Sequence, residues 1–204
     1  MLISSSASDG IAGNFPLDCD WRPIVTLTHR LATREDLPAL TLLMAAAIDE
    51  LQKGFLDGAQ IKLSHEIMGL DTQLIDDGTY FVVEDDGQVA GCGGWSRRAT
   101  LYGSDHSAGR DSALLDPSRD AARVRAMYTH PDFARKGIGR LILSLCEAAA
   151  SDEGFSRIEL MSTRSGRPLY AAYGFLPIEE AEYTSEGVSV PMTRMGKPVE
   201  TLRP

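Results

Sequence analysis

Tyr128-Thr129-His130-Pro131-Asp132-Phe133-Ala134-Arg135-Lys136-Gly137-Ile138-Gly139-Arg140 is the stretch on which the fold turns. Immediately before it, Ala122-Arg123-Val124-Arg125-Ala126-Met127-Tyr128 has the composition of a strand. Immediately after it, Ile138, Ile142, Leu145 and Ala149 form one helical stripe, with Leu141 and Ala148 beside them. A strand ends, a turn with basic residues and two glycines follows, and an amphipathic helix begins. The first N–H groups of a helix are unpaired and carry a partial positive charge. Glycines let that backbone approach phosphate oxygens, and Arg135, Lys136 and Arg140 add full charges. The turn therefore points to a phosphate or pyrophosphate site. An ordinary strand–helix turn with surface cations is the alternative.

Upstream, residues 1–22 are rich in Ser, Gly and Asp and read as a loose arm. Ile24-Val25-Thr26-Leu27-Thr28 is a β-branched run. Thr33 suits an N-cap, Glu35 and Asp36 suit a first helical turn, and Leu37, Leu40, Met44, Ile48 and Leu51 continue at helical spacing to about Gln52. A second helix covers roughly Ala59 to Met68. Thr79-Tyr80-Phe81-Val82-Val83 is a strand, Asp85-Asp86-Gly87-Gln88 a hairpin turn, and Val89 to about Arg98 its return. Gly91, Gly93 and Gly94 suggest a bulge there or a ligand close to the backbone. The polar stretch Thr100 to Arg119 is a long loop of the kind that is often functional.

Downstream, Arg157 to Thr163 is a strand, Arg167 to Tyr173 a short helix, Gly174-Phe175 the start of a strand, and Val188 to Met195 a last strand. The order β-α-α-β-β-β-α-β-α-β-β predicts one α/β (α+β) domain over residues 23–196 with a mixed sheet, followed by a tail at 197–204.

A length of 204 residues fits one domain, and 43% apolar with 24% charged residues is ordinary for a globular chain. The net charge of -9 argues against a nucleic-acid partner, which needs a basic face. It is compatible with a cationic substrate, although plain solubility explains it equally. Cys19, Cys92 and Cys146 show neither CxxC nor zinc-ligand spacing, so no metal is expected and reduced cytoplasmic thiols are the simplest reading. The start has neither the basic residues nor the apolar run of a signal peptide, and no stretch approaches membrane-spanning length.

Two other phosphate motifs fail. The Gly-Lys-Ser/Thr of a Walker loop is absent. A dinucleotide fingerprint would need a glycine at Ile142, and Glu159, near the distance for a ribose-binding acid, lies inside a strand. At this point the chain resembles the GNAT superfamily of N-acetyltransferases. Their Arg/Gln-x-x-Gly-x-Gly/Ala signature appears as Ala134-Arg135-Lys136-Gly137-Ile138-Gly139, with Ala134 departing from the first position. An aromatic-Tyr-x-x-x-Gly-Phe segment appears as Leu169-Tyr170-Ala171-Ala172-Tyr173-Gly174-Phe175. The resemblance spans Ile24 to Met195 and implies a mostly antiparallel sheet flanked by helices.

It also implies acetyl-CoA as co-substrate, held by residues 134–140 with Met127 and Tyr128. Ala134 is expected to contribute only its backbone N–H. Acetyl would pass by direct attack to a primary amine of a small molecule or peptide, with an oxyanion donor near Met127 or Tyr128 and Tyr170 as general acid. Tyr170 also reads as core packing, and Tyr173 does so more strongly. No general base stands out: Glu84, Asp120 and His130 qualify by chain position alone. Trp95, Arg97 and Tyr128 are candidate acceptor contacts, with Arg98 and the Thr100–Arg119 loop beside them; outward-facing arginines would suit a carboxylate or phosphate on the acceptor. A homodimer is compatible with this reading. A non-catalytic acyl-CoA-binding module and a dinucleotide-dependent oxidoreductase are the competing functions.

Overall fold

Apolar side chains at Leu40, Leu43, Met44, Ala47 and Ile48 bury one face of helix α1 (Leu37–Leu51), the first long element of the computed structural model, which describes residues 27–200. The β-branched run at residues 24–26 lies outside the described residues, and strand β1 spans Leu27–Leu31. Thr33 caps a short 3-10 turn, Arg34–Asp36, rather than α1 itself. Pro38 follows at the start of α1, where its missing N–H costs no hydrogen bond.

Helix α2 (Gly58–Ile67) opens with a reciprocal cap between Asp57 and Gln60. A five-residue helix that the sequence did not announce, α3 (Thr72–Asp76), follows it. Strands β2 (Tyr80–Asp85) and β3 (Gln88–Ser96) form the expected hairpin. Asp86 and Gly87 both have positive φ, as a type I′ turn requires. Then come β4 (Ala122–Thr129), α4 (Ile138–Asp152), β5 (Arg157–Thr163), α5 (Arg167–Tyr173), β6 (Leu176–Ser185) and β7 (Val188–Pro198).

The seven strands form one sheet in the order β1-β2-β3-β4-β5-β7-β6. Every neighbouring pair is antiparallel except β4–β5. One face packs on α4 through Ile138, Ile142, Leu143 and Cys146 against Val124, Leu160 and Phe175. The other packs on α1 and α3 through Leu40, Met44 and Leu74 against Tyr80, Val82 and Cys92. This mixed sheet between helices matches the expected class.

Three expectations change. The glycines of β3 make room for protein rather than ligand. A Cβ on Gly93 would lie 2.7 Å from Ile142 Cγ2, and one on Gly94 would lie 2.5 Å from Thr79 O, so α4 and β2 sit directly on the strand. β3 also stops at Ser96, short of Arg98. Finally, β7 runs past residue 196: Lys197 is buried with its ammonium 2.6 Å from Glu147 on α4, and Val199 N–H donates to Ser156 O at 2.9 Å. Residues 197–200 are thus part of the packed structure.

Candidate active site at the split of β4 and β5

β4 is irregular where the sequence showed only a strand. Cys92 pairs with Tyr128 but Gly94 with Arg125, so β4 carries one extra residue and bulges at Ala126-Met127. Ala126 takes a φ of 50°, which an alanine adopts only under local constraint. The constraint is Tyr80: its buried hydroxyl donates to Ala126 O at 2.7 Å.

The bulged strand leaves β5. The two pair only at Ala122–Ile158 and Arg123–Glu159 and then diverge. Glu159 fixes the closed end, accepting from Arg123 Nη1 at 2.5 Å and from Arg194 Nη2 of β7 at 2.7 Å. This carboxylate is spent on the sheet, which removes the ribose role a dinucleotide site would need. Beyond that closed end lies a cavity of about 100 Å³ between residues 124–128 of β4 and Leu160, Met161 and Thr163 of β5.

The basic turn follows β4 directly. Pro131–Phe133 form a 3-10 turn, and Arg135 (φ 67°) and Gly137 (φ 85°) turn the chain into α4. A Cβ on Gly137 would meet nothing, so its requirement is conformational. Gly139 differs: a Cβ there would lie 2.6 Å from Leu169 Cδ2, so this glycine seats α5 against the start of α4. Arg135, Lys136 and Arg140 are exposed. Lys136 pairs with Asp85 at 3.0 Å, and the Arg140 guanidinium stands over the Tyr173 ring at 5.6 Å. Ala134 is a correction: its N–H donates to Pro131 O at 3.1 Å, so it does not face a ligand. The N–H groups of Ile138, Gly139 and Arg140 have no partner within the helix, since the helical ladder begins with Leu141 N–H donating to Gly137 O.

Tyr170, on α5, lines the same cavity and meets Phe175 edge-on with centroids 6.0 Å apart. Gly166 lies under its ring, where a Cβ would approach Cε2 to 2.9 Å. Burial pushes the Tyr170 phenol up to about 12, with the nearby Cys146 thiol adding to it. Tyr173 points away, packed beneath the Lys197 ammonium at 5.0 Å and the Arg140 guanidinium, which fits its expected packing role.

The far wall of the cavity was missed at the sequence level. Gly69 N–H donates to the Tyr128 hydroxyl at 2.7 Å, pinning the α2–α3 connection onto β4. Asp71, with no exposed side-chain surface, lies 2.6 Å from Arg125 Nη1 of β4 and accepts from Arg110 Nη2 at 2.6 Å. Arg125 Nη2 donates to Gly103 O at 2.7 Å. One carboxylate therefore holds β4 and the 100–111 loop together. The signal in the sequence was only the pairing of arginines inside a β-branched run and a loop, which does not name their partner.

Three candidate acceptor contacts lie elsewhere. Trp95 is 2% exposed and packs edge-on against Phe155 on the α4 face. Arg97 stacks on that Trp95 ring and pairs with Glu153 at 2.6 Å. Arg98 is held by Asp77 at 2.7 Å. Of the acceptor candidates, Tyr128 lines the cavity together with Leu101, Tyr102 and Gly103 of the 100–119 loop. The candidate bases are also engaged away from it: Glu84 with Arg30, Asp120 with Asp116 N–H, and His130 with Asp132 N–H.

A model of the acetyltransferase (GNAT) domain family matches residues 76–177, half of the chain and the whole of the β4–β5 split. The chain belongs to the GNAT family. This GNAT protein is 26% identical over 136 residues to an uncharacterized N-acetyltransferase of Chlorobaculum tepidum, covering 67% of the chain and 72% of that relative. It shares its fold with a GCN5-related N-acetyltransferase of Rhodopseudomonas palustris, with a TM-score of 0.64 and 15% identity over 87% of this chain and 99% of the other. An acetyltransferase of Salmonella typhimurium solved with its cofactor acetyl-CoA superposes with a TM-score of 0.56 at 19% identity, over 86% and 95% of the two chains. Membership makes this chain an acetyltransferase. Among the described residues no helix is long and apolar enough to cross a membrane.

The buried titratable groups of this GNAT domain set its alkaline limit. Burial raises Cys92 from 9.0 to about 12 and Tyr170 from 10.0 to about 12. A raised folded-state value favours the neutral form, so its stabilisation is complete below the unfolded value and is lost as pH climbs towards the folded one. Thermal scans are expected to give a Tm that holds up to about pH 9 and falls steeply between about 9 and 12. A Tm that stays level to pH 12 would contradict this.

Proposed function

We propose that this chain moves the acetyl group of acetyl-CoA to a primary amine of a small molecule or peptide by direct attack, with Tyr170 as general acid. The observation that carries the reading is a coincidence of three features at the open end of one split: the bulged edge of β4, the solvent-facing start of α4, and the Tyr170 ring. The pyrophosphate sits on the N–H groups of Ile138, Gly139 and Arg140, with Arg135 and Lys136 as charged neighbours. The thioester enters between β4 and β5, its carbonyl against the backbone at Met127, where negative charge develops in the tetrahedral intermediate.

The amine must lose a proton before it attacks, since a free alkylamine has a pKa near ~10.4. Among the described residues, those lining the cavity include no Asp, Glu, His or Lys. Arg125 is the single charged side chain among them. Apolar walls and a guanidinium both favour the neutral amine, so the proton leaves to water rather than to a side chain. The C–S bond then breaks, and the departing thiolate takes the Tyr170 proton, which the raised phenol value keeps in place at neutral pH.

A thermal-shift comparison tests the donor. Acetyl-CoA at about a hundred times its Kd is expected to add about 2.7 kcal/mol, a rise of several degrees, while NAD(P) gives none. No rise with acetyl-CoA would overturn the proposal.

A further inference from the structure

The cavity at the split holds about 100 Å³, well below the several hundred cubic ångströms of a whole ligand site. The reacting thioester and amine must share that space. Its walls include Met68, Met127, Met161 and Met192, so a substituent on the carbon that bears the amine would crowd apolar side chains. Ile67, Leu101 and Tyr102 line both this cavity and an outer one of about 820 Å³, so the two adjoin. The outer cavity has the size of a whole ligand site. The body of the acceptor therefore lies outside, joined to its amine by a slender link.

The charge of the outer cavity is one-sided. Its lining includes Glu66 and Asp111 and neither Lys nor Arg. Both carboxylates are exposed. Glu66 meets the Tyr183 hydroxyl of β6 at 3.4 Å, and Asp111 accepts Ala113 N–H at 2.9 Å. His65 is taken up by Asp49 at 2.7 Å, and His106, Tyr102 and Tyr183 are the other titratable groups of the lining. The net charge of -9 adds a long-range pull on cations.

We infer that the acceptor is an unbranched aminoalkyl group, an amine on a methylene chain, whose body carries a further positive charge held by Glu66 and Asp111. The inference rests on the acetyl-transfer reading and names its substrate class. The amine gives one proton to water and its nitrogen bonds to the acetyl carbon; the nitrogen then loses a second proton to water, the C–S bond breaks, the thiolate takes a proton from Tyr170, and Tyr170 regains one from water. The products are an N-acetylaminoalkyl compound and the free thiol of CoA. The charged outer cavity collects the cation, while the apolar inner one accepts only the neutral amine.

The test measures thiol release by the full chain with acetyl-CoA and, in turn, 1,4-diaminobutane, butylamine, a peptide with one lysine, one arginine and a blocked N-terminus, alanine amide and glutamate. The diamine or the lysine peptide is expected to exceed butylamine in kcat/KM by about tenfold, and alanine amide and glutamate by more. Whichever of the two leads identifies the body as a free polyamine or a peptide. Glu66→Gln and Asp111→Asn are each expected to narrow the advantage of the diamine or lysine peptide over butylamine by roughly fivefold, through KM. A lead for alanine amide or glutamate, or an advantage untouched by both variants, overturns the inference and leaves acetyl transfer standing. If acetyl-CoA raises the Tm but no amine is acetylated, the inference falls. If acetyl-CoA gives no shift, the underlying reading falls with it.

Discussion

Tyr170→Phe is expected to lower kcat by roughly 10²-fold or more while leaving the affinity for acetyl-CoA nearly unchanged. The substitution removes one oxygen and keeps the ring, so the edge-on contact with Phe175 and the fit over Gly166 persist. What is lost is a proton donor at the mouth of the split. Because burial lifts the phenol up to about 12, the wild-type group stays protonated through any ordinary assay range. Its rate is then expected to rise with pH, as more acceptor amine is neutral, without a falling limb below about pH 10. Steady-state kinetics with acetyl-CoA titrated at saturating amine separate the two constants. Unchanged turnover in the variant would assign Tyr170 to packing alone.

Asp71→Ala is expected to cost about 3–5 kcal/mol, because removing one partner of a buried ion pair strands the others. Here two guanidiniums are stranded, Arg125 at 3% and Arg110 at 23% side-chain exposure. At about 2–4 °C per kcal/mol for a domain of this size, the Tm should fall by roughly 10 °C. The acceptor KM should rise as well, since the 100–111 loop loses its carboxylate tie to β4 and keeps the Arg125–Gly103 hydrogen bond, whereas the acetyl-CoA affinity should not. The combined replacement of Asp71, Arg110 and Arg125 by apolar residues of similar volume should recover most of the Tm, because no charge is then left buried. A single variant as stable as the wild type would show the triad to be incidental.

The sheet and the donor turn were legible because both rest on local patterns. Alternating apolar runs, the Asp86-Gly87 turn and the helix behind Gly137 each act over a few residues, and each forms where it was expected, although the buried face of that helix runs from Ile138 and Ile142 through Leu143, Cys146 and Ala150 rather than through Leu145 and Ala149. The second hairpin was harder to see, since Glu186 and Gly187 carry the positive φ values and glutamate is a weak turn signal. The bulge in β4 escaped for another reason. It sits at an alanine and is enforced by Tyr80, 46 positions away in sequence. Trp95 and Arg97 were misplaced because alternation gives two faces without saying which one is covered. On this sheet α4 covers theirs. Ala134 went wrong through its own neighbour, the short 3-10 turn at Pro131 that uses its N–H. The acceptor wall depends on Asp71, Arg110 and Arg125 meeting from three segments, and no periodicity encodes such a meeting.

Two residue pairs are all that join β4 to β5, with Glu159 and its two arginines as the rivet below them. The sheet is thus two panels, β1–β4 and β5–β7–β6, hinged at one edge. A molecule lying in the gap supplies, through its own amide groups, rungs that the polypeptide lacks. The donor is then also a splint. Under the proposed reading, loading acetyl-CoA would stiffen the panels against each other, and the protein would be at its most pliable in the interval between one acetyl-CoA and the next.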